Sequence, residues 1–144
     1  MTLIGAGGFV GSAFARHLPC RGVDLVPVTR QGYAAAAGAH SDVVIEAACN
    51  SRKYLSDERP LEDFERSVTH RLRTLLDFPA RLHVHISSVD VYPRLESPLT
   101  TREDAPELGS ASRYGFHKLL AEQLVRHYAP RWLIVRLAGM VGPG

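Results

Sequence analysis

The start of the chain joins a short, mainly apolar run to closely spaced glycines, and this junction restricts the fold more than any other feature. Residues 1–4 lead into the sequence GAGGFVG at residues 5–11, and a helix that ends before Pro19 completes a strand, turn and helix unit. Gly5 permits a tight turn, Gly8 a close approach of the backbone to a bound group, and Gly11 packing of the helix on the sheet. Because the helix N-terminus adds free N–H groups, the junction predicts a pyrophosphate site, with a purely structural turn as the alternative.

Strand and helix patterns alternate along the rest of the chain. Further strands are predicted at residues 23–28, 42–45, 82–87 and 132–137, and helices at residues 31–40, from residue 60 onward, and from a cap at Ser110 or Ser112 to residue 128. This order predicts an α/β fold with a Rossmann-like, doubly wound parallel sheet and helices on both faces. The link between the second and third strands is short, so the second strand is predicted at the sheet edge, where Pro27 is tolerated.

The helix predicted from residue 60 has its apolar residues at helical spacing. We expect these residues on the buried face and the charged residues in solvent, including the basic cluster of Arg66, His70, Arg71 and Arg73. The apolar face comprises Leu61, Phe64, Val68, Leu72 and Leu75.

Length and charge limit the domain count and the partners. The chain has 144 residues, 45% of them hydrophobic, which suffices for one core, so residues 1–144 are predicted to form one domain. The net charge of +2 predicts no nucleic-acid partner and no attraction to anionic membranes. The lack of a long apolar run and of a signal-peptide pattern predicts a soluble cytoplasmic protein. Cys20 and Cys49 are predicted to be ordinary buried thiols.

The residues after the second strand bear on which dinucleotide fits the turn. An acidic residue at this position holds the ribose 2′-hydroxyl of NAD, whereas an arginine accommodates the 2′-phosphate of NADP. Thr29 and Arg30 stand here, and the first acidic residue after them is Asp42. The sequence therefore favours NADP over NAD, with a merely solvent-exposed Arg30 as the alternative.

A tyrosine and a lysine in the last predicted helix have a spacing that suits acid–base chemistry. Tyr114 and Lys118 are four residues apart and so share one helix face. Lowering a tyrosine pKa from about 10 to about 7 requires roughly 4 kcal/mol, which one ammonium group at about 4 Å can supply in a partly buried site. Such a pair also arises by chance on many helices.

Four ordered segments together are more specific than any one of them. The sequences GAGGFVG, SSVDVY, YGFHK and RLAGMVGPG follow one another in the order seen in the extended short-chain dehydrogenase/reductase superfamily, and the whole chain resembles that family of NAD(P)-dependent epimerases and dehydratases. The resemblance implies an oxidoreductase, epimerase or dehydratase type of domain that acts on a hydroxyl or carbonyl of a sugar-nucleotide-like substrate. It also implies a homodimer that pairs through the helix carrying Tyr114 and Lys118.

The resemblance also assigns roles to individual residues. Ser88 would orient the substrate carbonyl, with Ser87 as its structural neighbour. Tyr114 would be the acid/base, and Lys118 would lower the pKa of Tyr114 and hold the nicotinamide ribose. Asp90 stands where dehydratases of the family carry an acidic residue, with a strand-end cap as the alternative. The implied cofactor-binding residues are Gly5, Gly8, Phe9, Val10, Gly11, Thr29, Arg30, Ala47, Ala48, Cys49, Tyr114 and Lys118.

The chain departs from the family at several positions. Ser67 stands where the family places an asparagine that supports the lysine through water, and Gly139 and Val141 replace an asparagine and a tyrosine in the last segment. Family members continue beyond the position of Gly144 into a region that closes over the substrate. The alternative to an enzyme is therefore a non-catalytic NAD(P)-binding module or regulatory relic, and a third possibility is a piece of a longer enzyme.

Three histidines are predicted to carry no special chemistry. His83 and His85 alternate on one strand and face the same side, but no third ligand has suitable spacing, so a metal site is not predicted. His117 lies between Tyr114 and Lys118, at a position where the resemblance implies no required chemistry.

Overall fold

The sheet places the carboxyl ends of all its strands at one edge. The computed structural model describes residues 1–104 and 112–140, and within them five parallel strands lie in the order β2-β1-β3-β4-β5. In this register Ile4 lies beside Val28 and Glu46, and Glu46 beside His85. The strands are β1 (Thr2–Ile4), β2 (Val26–Val28), β3 (Ser41–Glu46), β4 (Ala80–Ser88) and β5 (Trp132–Leu137).

The helices follow the predicted alternation with differences in detail. They are α1 (Phe9–His17), α2 (Tyr33–Ala36), α3 (Leu55–Glu58), α4 (Pro60–Phe64), α5 (His70–Asp77) and α6 (Arg113–Tyr128), with a π-helical stretch at Glu65–Thr69. The α2 helix is one turn instead of the predicted two, and α3 was not predicted. Ser112 caps α6, because its hydroxyl accepts a hydrogen bond from the Gly115 N–H at 3.1 Å. Ser110 and Val141 lie outside the described residues.

The predicted α/β fold and the position of the second strand are confirmed. β2 pairs with β1 and forms one edge of the sheet, with Pro27 beside Leu3. Proline is tolerated there because an edge strand can lack a donor. The connection from β2 to β3 carries the single short helix α2, so the sheet is shortened at this side.

Side chains alternate between two covered faces of the sheet. On one face, Leu3, Ile45 and Ile86 form a buried cluster against Phe14 of α1. On the other face, Ile4 and Val44 pack with Phe78 at the end of α5. The same second face carries three buried polar residues of β4 beneath α5 and α6: His83, His85 and Ser87.

The prediction for the helix at residue 60 was wrong in its first half. Leu61 is 78% exposed, whereas the side chain of Asp63 is fully buried and that of Arg71 is 3% exposed. The π-helical stretch inserts an extra residue into the turn and rotates the buried face, and both buried charges have polar partners. Val68 and Leu75 are buried as predicted.

The two cysteines differ in exposure. Cys20 is exposed and Cys49 is half-buried, so the prediction of two buried thiols was wrong for Cys20.

No helix within residues 1–104 and 112–140 is long and apolar enough to cross a membrane.

Candidate functional site

The glycine turn between β1 and α1 is shaped by two glycines that could not carry a side chain. Gly5 has a positive φ of 82°, and a Cβ on it would lie 2.6 Å from the main-chain nitrogen of Ala48. A Cβ on Gly11 would collide with the carbonyl oxygen of Gly5. Gly8 caps α1 without a side-chain hydrogen bond, and Gly8 and Phe9 are exposed. The turn is therefore a tight backbone cradle at an open helix N-terminus, which fits a pyrophosphate group.

The end of β2 is tied to this turn. The Val28 carbonyl accepts hydrogen bonds from the N–H groups of Gly5 at 2.9 Å and Ala6 at 3.2 Å. Thr29 follows directly, and its methyl group lies 3.9 Å from the position that a Cβ on Gly7 would take. Arg30 is exposed. A cationic side chain therefore stands beside the turn, facing solvent.

Tyr114 and Lys118 converge on one main-chain oxygen. The Tyr114 hydroxyl donates a hydrogen bond to the Asn50 carbonyl at 3.2 Å, and Lys118 Nζ donates to the same oxygen at 2.8 Å. Lys118 Nζ also lies 4.9 Å from the centroid of the Tyr114 ring. Both side chains are buried. Asn50 was not singled out by the sequence, because a main-chain acceptor has no sequence signature.

The predicted lowering of the Tyr114 pKa by Lys118 is not found. Burial raises the pKa of Tyr114 above its ordinary value, and Coulombic interactions with Cys49, Asp90 and Asp63 raise it further. The Lys118 ammonium donates to Asn50 instead of the phenolic oxygen. In this arrangement the phenol stays protonated and can serve as a proton donor.

The end of β4 forms a second polar group at the same edge of the sheet. The Ser88 hydroxyl donates to Asp90 Oδ2 at 2.7 Å and accepts from the Asp90 N–H at 3.2 Å. Asp90 Oδ1 in turn pairs with Lys53 Nζ at 2.5 Å. Ser88 therefore caps the turn at Val89–Val91, and Asp90 bonds both Ser88 and Lys53. Lys53 is a neighbour that the sequence analysis did not identify.

A buried ion pair joins β4, α6 and β5 beneath Ser88. Glu122 accepts a hydrogen bond from the Ser87 hydroxyl at 2.6 Å and two from the Arg136 guanidinium, at 3.0 and 2.7 Å. Arg136 also donates to the Tyr92 hydroxyl at 2.7 Å. Glu122 is fully buried. This network fixes α6 against β4, whose end carries Ser88, and against β5.

A second group of buried polar side chains centres on Asp63 and contacts α6 at His117, next to Lys118. Its carboxylate accepts hydrogen bonds from Asn50 Nδ2 at 2.6 Å and from the Ser67 hydroxyl at 3.3 Å. The Nδ1 atom of His117 lies 2.7 Å from the other carboxylate oxygen. Ser67 thus contacts Asp63 instead of supporting Lys118 directly. His117, at a position where the resemblance implies no required chemistry, is a buried ring in contact with a buried carboxylate.

A third buried group lies at the end of β3. Glu46 Oε1 accepts a hydrogen bond from the Ala48 N–H at 3.0 Å, and Arg71 Nη1 lies 3.0 Å from Glu46 Oε2. Burial lowers the pKa of Arg71 to about 9. The prediction that Arg71 belongs to a solvated surface was wrong. Beside it, His85 is 1% exposed, and neither ring nitrogen has a hydrogen-bond partner among the described residues.

This buried histidine predicts a loss of stability in acid. Burial, and then the charges of Arg71 and Lys118, hold the pKa of His85 well below 6.5. Below about pH 6.5 the unfolded chain binds a proton at this residue and the folded chain does not, so the free energy of unfolding falls by up to about 1.4 kcal/mol per pH unit. Urea titrations at a series of pH values should show this slope.

The control for this prediction is another histidine. His85→Leu should reduce the acid slope but not abolish it, because burial also lowers the pKa of His70 and His83. Replacement of the exposed His40 by Gln should leave the slope unchanged. An unchanged slope in His85→Leu would contradict the assignment.

Comparison with protein families identifies the family of this chain. The model of the NAD dependent epimerase/dehydratase family matches residues 1–144. The chain belongs to this family. A search of curated proteins found no match.

Several solved structures share the fold. A UDP-galactose 4-epimerase is 25% identical with a TM-score of 0.75, and the match covers 94% of this chain and 54% of that one. RMD from Pseudomonas aeruginosa, complexed with NADPH, is 22% identical with a TM-score of 0.79, covering 100% and 56%. MoeE5 in complex with UDP-glucose and NAD is 21% identical with a TM-score of 0.72, covering 92% and 51%. The chain thus spans about half the length of these neighbours.

Proposed function

We propose that this chain is the cofactor-binding part of an NAD(P)-dependent enzyme of the epimerase, dehydratase or reductase kind. The observation that carries the proposal is the convergence of Tyr114 and Lys118 on the Asn50 carbonyl, at the sheet edge where the glycine turn also lies. Parallel α/β sheets bind their ligands at this edge. The substrate class proposed is a sugar nucleotide or a related compound, the kind of molecule named for UDP-galactose 4-epimerase and for the MoeE5 complex.

Each residue of the site has a proposed role. The turn at Gly5, Gly8 and Gly11, with Phe9 and Val10 at the start of α1, would hold the cofactor pyrophosphate, and Ala47, Ala48 and Cys49 would line the cofactor. A bound nicotinamide supplies hydride transfer. Lys118 would hold the nicotinamide ribose, Ser88 would orient the substrate oxygen, and Tyr114 would donate a proton to that oxygen or accept one from it.

The raised pKa of Tyr114 bears on the direction of this proton transfer. Since burial raises the pKa of the Tyr114 phenol, the protonated form is favoured and Tyr114 is ready to donate a proton to a carbonyl oxygen. Removal of a proton from a hydroxyl requires the phenolate, which an ammonium within a few ångströms stabilises. Lys118 is the cation in reach, so a small displacement of its Nζ from Asn50 toward the phenol would favour the base form.

We further propose that the cofactor is NADP in preference to NAD. Support comes from Arg30, which follows β2 beside the glycine turn and is free to reach a 2′-phosphate. Replacing Arg30 by Ala should weaken NADPH binding by about tenfold to a hundredfold, since a charge-assisted hydrogen bond contributes about 1.5–3 kcal/mol, and should leave NADH binding nearly unchanged. Titration followed by the fluorescence of the reduced cofactor measures both constants.

The matched control is Arg21, an exposed arginine in the 3₁₀ turn Pro19–Arg21 that follows α1, whose replacement by Ala should affect neither cofactor. Tighter binding of NADH than of NADPH to the unmodified chain would contradict the preference. Trp132 is the first residue of β5, the outermost strand on the side of the sheet opposite β2. Its fluorescence is therefore a poor reporter of this site.

The experiment that tests the function is a turnover assay on a panel of UDP-sugars and dTDP-sugars with NAD or NADP. Reduction and oxidation are followed by cofactor absorbance, whereas epimerisation leaves the cofactor unchanged and needs chromatography of the sugar products. Turnover of any member supports the proposal. Tight cofactor binding without turnover would favour the alternative, a non-catalytic NAD(P)-binding module.

We also propose a homodimer that pairs through α6 and its neighbours. Leu61 and Leu76 lie on the helical segments packed beside α6 and are largely exposed, as apolar residues at a dimer interface are before pairing. Sedimentation equilibrium measures the mass, and a monomer would contradict this proposal.

A further inference from the structure

Two of the side chains proposed to carry the chemistry share one hydrogen-bond acceptor, and this acceptor belongs to the main chain. Tyr114 and Lys118 both donate to the main-chain carbonyl of Asn50. A main-chain oxygen has no side-chain rotamer, so its direction is set by whatever holds the backbone of residue 50. Asn50 lies in the loop after β3, where no ladder of sheet hydrogen bonds fixes it.

The side chain of Asn50 provides this anchor. Its Oδ1 accepts from the Arg52 N–H at 2.9 Å, and its Nδ2 donates to the Arg52 carbonyl at 2.9 Å, which closes a local turn. The same Nδ2 donates to Asp63 Oδ1 at 2.6 Å, which ties the loop to α4. The contact with Asp63 therefore links the side chain of Asn50 to α4, in addition to the bonds that its carbonyl accepts from α6.

Asp63 is held from the opposite side by α6. His117 Nδ1 lies 2.7 Å from Asp63 Oδ2, and the carboxylate oxygen acts as acceptor. The imidazole sits between Phe64 and Phe116, with ring centroids 5.3 and 6.0 Å away, so its orientation is restricted. His117 directly precedes Lys118 on the same helix. A series of polar contacts thus connects His117 of α6 with Asp63, Asp63 with Asn50, and Asn50 with Lys118 of α6.

We propose that Asp63 and His117 form a positioning pair, which aims the Asn50 carbonyl and thereby sets the hydroxyl of Tyr114 and the ammonium of Lys118. Neither member contacts Tyr114 or Lys118 through the hydrogen bonds described, and neither is a catalytic residue. The inference rests on the proposed function for its effect on turnover, but the positioning itself is a property of the folded chain.

Two substitutions at position 117 separate positioning from packing. His117→Phe keeps a ring between Phe64 and Phe116 and removes the donor to Asp63. His117→Asn places an amide nitrogen where Nδ1 stands and keeps the donor. We expect His117→Phe to lower kcat by about tenfold to a hundredfold, because small displacements of reacting groups have effects of that size. The KM for substrate should change little, and His117→Asn should recover most of the loss.

A second readout does not require turnover. The ¹³C NMR signal of the Tyr114 ring carbon that bears the hydroxyl, assigned by its absence in Tyr114→Phe, reports the hydrogen bond to Asn50. It should shift in His117→Phe and stay in place in His117→Asn. Thr74→Val is the control. Thr74 lies on α5, and its buried hydroxyl bonds the Arg71 carbonyl at 2.9 Å and no member of the Asn50 network. This substitution should change neither kcat nor the Tyr114 signal.

The outcomes decide the two proposals separately. If His117→Phe is folded and changes neither kcat nor the Tyr114 signal, the positioning pair is wrong. If that variant does not fold, Asn50→Ala replaces it, since it keeps the carbonyl and removes the tether to Asp63, and it carries the same expectations. If the unmodified chain turns over no substrate, the proposed function fails, and the Tyr114 signal alone then supports or overturns the positioning.

Discussion

Replacing Tyr114 by Phe is expected to lower turnover by about a hundredfold to ten-thousandfold, the usual contribution of a positioned proton donor or acceptor. The phenylalanine ring fills the same buried volume and removes only the hydroxyl that bonds the Asn50 carbonyl. Cofactor affinity should stay nearly the same, because Lys118 keeps its own hydrogen bond to that carbonyl. Steady-state kinetics on a turned-over substrate, together with a cofactor titration, measure both quantities.

Tyr33→Phe is the matched control for this substitution. Tyr33 lies on α2 and its hydroxyl donates to Asp77 at 2.9 Å, so the change removes a hydrogen-bonded phenol of the same kind that is not bonded to the proposed reacting groups. It should leave turnover unchanged. Full turnover in Tyr114→Phe would remove Tyr114 from the mechanism, while an equal loss in both variants would indicate a general effect on the fold.

The second large effect is expected in stability. Replacing Glu122 by Leu should lower the free energy of unfolding by about 3 kcal/mol, because the largely buried guanidinium of Arg136 loses its counter-charge and keeps only neutral hydrogen-bond partners. The Arg136 side chain would lose both hydrogen bonds to the carboxylate, and the Ser87 hydroxyl would lose its acceptor. Urea denaturation followed by circular dichroism measures the change.

Two further variants test the physical cause. Asp57→Leu breaks an exposed ion pair with Arg113, so it should cost no more than about 1 kcal/mol. The double variant Glu122→Leu with Arg136→Met removes both buried charges and should recover part of the loss. If Glu122→Leu costs less than its surface control, the buried pair does not fasten α6 to β4 and β5.

Local features of the fold were predictable because their signals lie within a few residues of one another. The glycine turn is one example, since only glycine tolerates the conformation of Gly5 and the closeness of Gly11 to the Gly5 carbonyl. The edge position of β2 is another, since it follows from the short link to β3 and the presence of Pro27. The last strand has the predicted bounds, Trp132–Leu137.

The buried face of the helix at residue 60 was not predictable by the same reasoning. Hydrophobic spacing ranks Leu61 above Asp63 for burial, yet Asp63 is buried and Leu61 is exposed. A charged group is buried when partners compensate the loss of water, and those partners come from distant parts of the chain. The π-helical stretch at Glu65–Thr69 adds a change of face that no propensity indicates.

For this protein, the sequence by itself determined the alternation of strands and helices and the glycine turn, because each depends on residue types at short spacings. The candidate set of Ser88, Tyr114 and Lys118 came from the resemblance of its ordered motifs to the family. Only the tertiary structure decided how those residues are held. The contact of His117 with Asp63 spans 54 residues, and that of Lys118 with the Asn50 carbonyl spans 68. Hydrogen bonds between such distant groups exist only once the sheet has brought α4, the loop after β3 and α6 together.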